Sequence, residues 1–284
     1  MEREYKPKRR KRRRKKIVAA ALFMLVVLTT AAVVCLAMFF NITDITAIGV
    51  SRYTPQEIVE ASGILVDQNI FAVDTKKVAK ELTDRFPYIQ EAKVSRVLPT
   101  SVEIHITEAE PVVTIVNSQE SYTLLSETGR VLEQGEGVSG EGLPLVVGTD
   151  FSRFPVGSFP AVLTEEEKEQ DASGEAAQRA ERCEEIMVTI RRVAEAVEET
   201  GFENINYIDV SDELCTVLLY DDRAILKIGS ELELNYKLAM AAEILENQLG
   251  ESFEGTVDLT VPPKAYTLEK SITNLVNQDY WNAY

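Results

Sequence analysis

Residues Ile17 to Phe40 make an unbroken run of 24 residues without a charged side chain, and nine consecutive lysines and arginines, Lys8 to Lys16, stand directly before it. A helix rising ~1.5 Å per residue carries such a run roughly 36 Å, enough to cross a hydrocarbon core of ~30 Å with some tilt. The expectation is a basic cytoplasmic tail at 1–16 and a transmembrane helix at 17–40. The run exceeds the about 7–15 residues of a secretory signal core, and Leu36-Ala37-Met38-Phe39-Phe40 offers no small-x-small cleavage pair, so it reads as an uncleaved anchor. This feature also divides the charge. The tail holds eleven Lys or Arg against two Glu, a balance of +9 within a total of −16, which leaves −25 on residues 41–284. Cations before the span keep that end in the cytoplasm and put the following 244 residues outside. An acidic body argues against nucleic acid as partner, because phosphate neutralisation needs clustered cations. Beside a span, the basic tail serves topology and contact with anionic lipid.

Catalytic patterns are missing from the acidic body. The chain has one histidine, which leaves no Cys/His metal spacing, and neither metal nor cofactor is expected. His105 falls on the polar side of an alternating strand, where a solvated role outweighs a catalytic one. No Gly-x-Ser-x-Gly elbow, Walker loop or zinc-protease helix occurs. Gly135 to Gly142 is glycine-rich but carries Glu136 and Glu141, so it reads as a flexible loop rather than a phosphate cradle. With 44 carboxylates beyond the span, neighbouring pairs arise by coincidence and mark a solvated acidic face. Cys183 and Cys215 could pair, but a body of this size builds its own core without a staple, and two unpaired, buried thiols are the simpler expectation.

Beyond the span, Ile45 to Val50 reads as a strand. Thr54-Pro55-Gln56-Glu57 is a capping box with proline in the first turn, and Gly63 suits the helix end. Asp74 caps a second helix with Val78, Ala79, Leu82 and Phe86 at helical spacing, stopped by Pro87. Two strands follow, turning at Leu98-Pro99-Thr100. In the second, Val102, Ile104 and Ile106 alternate with Glu103, His105 and Thr107. Strand, helix, helix, strand, strand is a compact module of two helices against a small sheet. Short strands then read at Val112–Val116, Tyr122–Leu125, Gly129–Leu132 and Leu143–Gly148. Glu165 to Asp171 is a charge run, taken as exposed. A helix from about Glu175 to Gly201 has a face of Ile186, Ile190, Val193 and Val197. Strands at Ile205–Val210, Cys215–Tyr220 and Ala224–Ile228 precede a helix with Leu238, Ala241, Ala242, Leu245 and Leu249 on one face, and Gly255–Val261 is a further strand.

The stretch from Ile45 to Val113 resembles the FtsQ-type POTRA domain of the FtsQ/DivIB cell-division proteins. The likeness rests on Ile45-x-x-Ile48-Gly49 before the capped helix and on Asn69-Ile70-Phe71-Ala72-Val73-Asp74. It continues through Ala92-Lys93-Val94-Ser95-Arg96-Val97-Leu98-Pro99-Thr100-Ser101-Val102-Glu103-Ile104 and the Glu108-x-Glu110-Pro111 exit. Val50 stands where the family usually has asparagine, and Glu110 where it has a basic residue. Leu143–Gly148 and Ile225–Val261, with Tyr236-Lys237-Leu238, are similar to the β domain of that family, and the fit is poor at 160–180. The resemblance implies an α+β architecture: a single transmembrane helix, a POTRA domain of βααββ order at 41–111, and a mixed or antiparallel β domain with flanking helices at 112–270. An acidic helical insertion occupies about 160–200 of that domain, and 271–284 form a flexible tail.

It also implies a non-enzymatic divisome scaffold at the septal membrane that binds bitopic proteins of the FtsB/DivIC and FtsL type and helps recruit the septal peptidoglycan synthase complex. The partner surface implied by position is Val261, Lys264, Ala265, Tyr266 and Leu268, with Tyr236 and Met240 on the preceding helix. From the residues alone, Pro262 to Glu269 suits an edge strand, since edges tolerate proline and offer unpaired backbone to a visitor. Tyr266 and Leu268 could equally cover the core. Rival classes are a membrane-anchored cell-wall enzyme, for which the sequence offers no active site, and a POTRA-bearing transport or sensor component.

Overall fold

The structure is a computed structural model that describes residues 8–117, 121–138, 140, 142–171 and 173–270. The expected tail at 271–284 lies outside the described residues, as do the side chains of 8–15, 32, 33 and 35–38 within the first helix. That helix, α1 (Lys8–Phe39), is continuous through the basic block and the apolar run. Residues 16–31 are exposed at every position. Among the described residues no helix is long and apolar enough to cross a membrane; the expected span includes the six positions from 32 to 38 whose side chains are not described.

The chain divides into two compact units, one running to Asp84 and including Ile89–Glu108, the other comprising Arg85–Tyr88 and the chain from Ala109 onward. In the first, β1 (Asp44–Ile48), α2 (Pro55–Ala61), α3 (Thr75–Arg85), β2 (Ile89–Val97) and β3 (Ser101–Glu108) follow in the expected order. The sheet runs β1-β3-β2, with β1 parallel and β2 antiparallel to β3. The Thr54 hydroxyl accepts from the Glu57 amide while Glu57 caps back, a closed capping box, and Lys77 N–H donates to Asp74 at 3.1 Å. Val102, Ile104 and Ile106 are buried while His105 is exposed, as the alternation requires.

The resembling motifs have local causes. Gly49 sits at φ +82, and a Cβ there would run into the Ile106 carbonyl oxygen. The Glu108 carboxylate accepts from the Ser51 and Arg52 amides at 2.8 and 3.0 Å and from the Ser51 hydroxyl, closing the turn after β1. Asn69 caps the turn Ile70–Ala72, and Arg96 donates to the carbonyls of Ile70 and Val73 at 3.0 and 2.6 Å.

In the second unit, the described residues form one mixed nine-stranded sheet. Its strands are β4 (Pro111–Val116), β5 (Tyr122–Ser126), β6 (Val131–Gly135), β7 (Leu145–Val147), β8 (Ile205–Asp212), β9 (Cys215–Tyr220), β10 (Ala224–Gly229), β11 (Gly255–Asp258) and β12 (Tyr266–Glu269), in the order β12-β11-β10-β9-β8-β7-β4-β5-β6. Three pairings, β4 with β7, β7 with β8 and β10 with β11, are parallel. Helices α5 (Glu175–Thr200) and α6 (Leu234–Glu243) lay their apolar sides on one face, packing Ile186, Ile190, Val193, Leu238 and Ala241 with Ile115, Ile208, Leu218, Leu226 and Val257.

Three expectations are corrected here. The acidic stretch at about 160–200 is not one appended insertion: α4 (Glu165–Gln170) is a short capped surface helix, whereas α5 closes the main core. Its charges occupy the outward side, and small or apolar residues from Ala176 to Ala196 line the inward side. The helix expected to run to Leu249 is α-helical only to Glu243 and widens to a π turn at Ile244–Leu249, which keeps Ile244 and Leu245 buried. Both outer cysteines are free, but only Cys183 is buried, Cys215 being half-exposed at the start of β9.

Candidate docking edge

The outer edge of the large sheet is built by two successive connections. From β10 the chain crosses through α6 to β11, which lies parallel beside β10 with Leu226 opposite Val257 and Lys227 opposite Asp258. A covered helix is the usual way to join parallel neighbours. At the start of that crossover Gly229 turns the chain at φ +69. Lys237 reaches back from α6, its ammonium donating to the carbonyls of Ile228 at 2.9 Å and Ser230 at 2.7 Å. The side chain is buried; burial holds its pKa below the ordinary lysine value, while the charges of Glu233 and Cys215 pull it back up.

Strand β11 ends where Asp258 accepts from the Thr260 amide at 3.0 Å and the Thr260 hydroxyl at 2.6 Å. Burial pushes the Asp258 carboxyl up, but those bonds and the charge of Lys227 outweigh it and leave the pKa below the ordinary aspartate value. The chain then returns as β12, antiparallel to β11, with Gly255 opposite Glu269 and Asp258 opposite Tyr266. Among the described residues no strand pairs with the far side of β12, and all four of its residues are exposed.

The direction of each backbone group follows from one bond. Lys270 N–H donates to the Glu254 carbonyl at 3.0 Å, one step beyond the Gly255–Glu269 pair. Antiparallel ladders alternate bonded and non-bonded pairs. Leu268 and Tyr266 therefore bond inward to β11, and Thr267 and Glu269 turn their N–H and C=O groups outward. Gly255 permits the close approach, for a Cβ there would strike the Leu268 carbonyl oxygen.

The structure splits the partner residues expected from sequence. Tyr266 and Leu268 are 64 % and 63 % exposed, and they share a face with Ile225 rather than with the helices. They do not cover the main core. Val261 and Lys264 are exposed in the turn before β12. Ala265 packs against the main core. Tyr236 and Met240 belong to α6, on the other face; Tyr236 is exposed and Met240 half-buried in the core. Sequence reasoning missed Thr267 and Glu269, which expose backbone rather than an apolar side chain. It also missed the small apolar cluster of Leu219 and Ile225, bordered by Tyr207 and Val217, on the face without helices. Its signal was present: Val217-Leu218-Leu219 and Ala224-Ile225-Leu226 are apolar without alternation, the pattern of strands apolar on both faces.

Comparison with known proteins adds identity to this geometry. Residues 40–109 match the POTRA domain, FtsQ-type. The cell division protein DivIB of Clostridium botulinum (strain Loch Maree / Type A3) is 27 % identical over 230 residues, 80 % of this chain and 81 % of that protein. DivIB of Geobacillus kaustophilus is 34 % identical over 101 residues, 35 % of this chain and 38 % of its own length. The cell division protein FtsQ of Corynebacterium glutamicum is 26 % identical over 91 residues, 32 % and 40 % of the two chains. Residues 40–109 therefore hold an FtsQ-type POTRA domain in βααββ order, and the chain is similar to a cell division protein DivIB over four-fifths of both lengths.

Proposed function

We propose that this protein is a non-enzymatic, membrane-anchored scaffold of the division machinery that receives a strand from a bitopic partner of the FtsB/DivIC and FtsL type on the outer edge of β12. The docked partner in turn helps to recruit the septal peptidoglycan synthase complex. The observation that carries the reading is the open edge, where Thr267 and Glu269 present backbone groups beside the exposed side chains of Tyr266 and Leu268. Strand addition draws affinity from such groups and selectivity from alternate side chains.

Anchoring rests on α1. Its apolar side chains from Ile17 to Leu28 are exposed all round, an arrangement stable in lipid and costly in water. The hydroxyls of Thr29 and Thr30 donate to the Val26 carbonyl at 2.9 and 2.8 Å, so they bring no unsatisfied polar atom into hydrocarbon. The basic block then holds the N-terminus in the cytoplasm, and residues from Asn41 onward face outward.

Thr267→Pro removes an outward donor and leaves the inward ladder through Tyr266 and Leu268 in place. The expected outcome is roughly tenfold weaker capture of the bitopic partners from solubilised membranes, with thermal unfolding of the full chain unchanged. Undiminished capture by the folded variant overturns edge docking. Tyr266→Pro, by contrast, breaks a bond to β11 and so disturbs the sheet itself. A fluorescent fusion of the full chain is expected at mid-cell during division; uniform distribution along the membrane would favour a transport or sensor role.

A further inference from the structure

Six large apolar side chains among residues 41–108 stay exposed, namely Ile48, Leu65, Val66, Phe71, Val97 and Leu98. Five of them gather at one end of the small sheet. Leu65 and Val66 precede Asp67 and Gln68, which pair with Ile42 through Asp67 N–H to Ile42 O at 2.8 Å and Ile42 N–H to Gln68 O at 2.9 Å. Ile70 N–H donates to the Phe40 carbonyl at 2.8 Å, and the Phe71 ring lies 5.3 Å from that of Phe40. Val97 and Leu98 enter the β2–β3 turn, whose Thr100 carbonyl accepts from Thr43 N–H at 2.8 Å. All of these contacts fall on residues 40–43, the first to leave α1. Ile48, the sixth, ends β1 about 13 Å farther along the strand.

We infer that the Leu65-Val66, Phe71 and Val97-Leu98 tips form a lipid-contacting surface that seats the POTRA module on the outer leaflet. The inference rests on the proposed span. Phe40 closes the apolar run, and its carbonyl is bonded into the 65–72 loop, so a spanning α1 puts that loop at the bilayer boundary. The tips are also held before any lipid arrives: Phe71 N–H donates to Asn69 Oδ1 at 3.0 Å, and Arg96 grips the carbonyls of Ile70 and Val73. Seating them costs little ordering entropy, and apolar side chains reaching ~5–10 Å into the headgroup boundary leave water. A set of exposed apolar tips aligned at one end is otherwise a liability for a secreted module.

Depth-dependent quenching tests this in the full chain, reconstituted in nanodiscs of phosphatidylcholine with or without brominated acyl chains. Trp281→Phe removes the native indole, and single Leu28→Trp, Val66→Trp, Leu98→Trp and Ile48→Trp variants each restore one. All four sites are exposed, so the indole needs no new space in the core. The expected result is strong quenching at 28, about twofold loss of emission with a blue shift at 66 and 98, and none at 48. Quenching at 28 with none at 66 and 98 overturns the inference while the span stands, and it leaves a protein partner as the cover. Equal quenching at 48 and 66 also overturns it, because the module would then lie flat. No quenching at 28 overturns the span and the inference together.

Discussion

At the scale of single residues, the tightest constraint near the candidate docking edge is a missing atom. Gly255 lies on β11 opposite Glu269 of β12, and the Leu268 carbonyl oxygen and the Phe253 ring crowd the place where a Cβ would sit, the ring at 2.8 Å. Gly255→Ala therefore has to push β12 away, since backbone cannot give as a flexible side chain can. The expected cost is about 1–3 kcal/mol, and faster hydrogen exchange confined to the amides of β12 and β11 checks it. Exchange spread evenly through the sheet would contradict the local account. Lys237 poses the opposite case, a polar group the fold needs. Lys237→Met keeps the stem but strips the carbonyls of Ile228 and Ser230 of their donor. Part of that loss is offset, because an ammonium no longer has to be desolvated. A net destabilisation of about 1–3 kcal/mol is expected from the urea midpoint.

At the scale of elements, α5 decides the second unit. Ile190 is 2 % exposed in the middle of its inward face, so Ile190→Ala is expected to cost about 3 kcal/mol and to lower the unfolding midpoint accordingly. An effect below about 1 kcal/mol would mean that α5 is peripheral after all. The sequence exposed this helix through its 3.6-residue periodicity but not its importance, because the same residues that make it acidic also make it look detachable. Elements with a local signature were readable: the Thr54 capping box, the Asp74 cap and the alternation from Val102 to Ile106 each fix a structure over a few residues. The same signature at Thr164-x-x-Glu167 stood in the sequence unused, and it starts α4. What local pattern could not supply was long-range register. That β11 runs parallel to β10, and which amides of β12 point outward, depend on the crossover through α6. The edge position of β12 was therefore legible, whereas Thr267 and Glu269 as its outward groups were not.

At the scale of the whole molecule, charge sets two opposing responses to acid. The body carries −25, and diffuse repulsion among its carboxylates weakens the folded state, so protonation by itself relieves strain. Specific bonds act the other way. Burial raises the pKa of Glu108, but the Ser51 hydroxyl, the Arg52 and Ser51 amides and the Arg52 charge together bring it below its ordinary 4.5. Asp258 is likewise held below 3.8. A carboxylate depressed in the folded state binds protons more readily when unfolded. Its contribution is thus complete above the unfolded value and disappears as pH falls through the folded one. Salt separates the two effects: at 1 M the Debye length is ~3 Å, which screens the diffuse field and leaves the short bonds. In high salt, the full chain is expected to hold a constant unfolding midpoint above about pH 5.5 and to lose stability below about 4.5. Glu108→Gln with Asp258→Asn should lower the neutral-pH midpoint, and its curve should converge on that of the unmodified chain as the acid limb is descended. Two curves that stay parallel down the whole limb would show that the Ser51–Arg52 and Thr260 bonds do not set the acid stability, and would return that role to the diffuse charge.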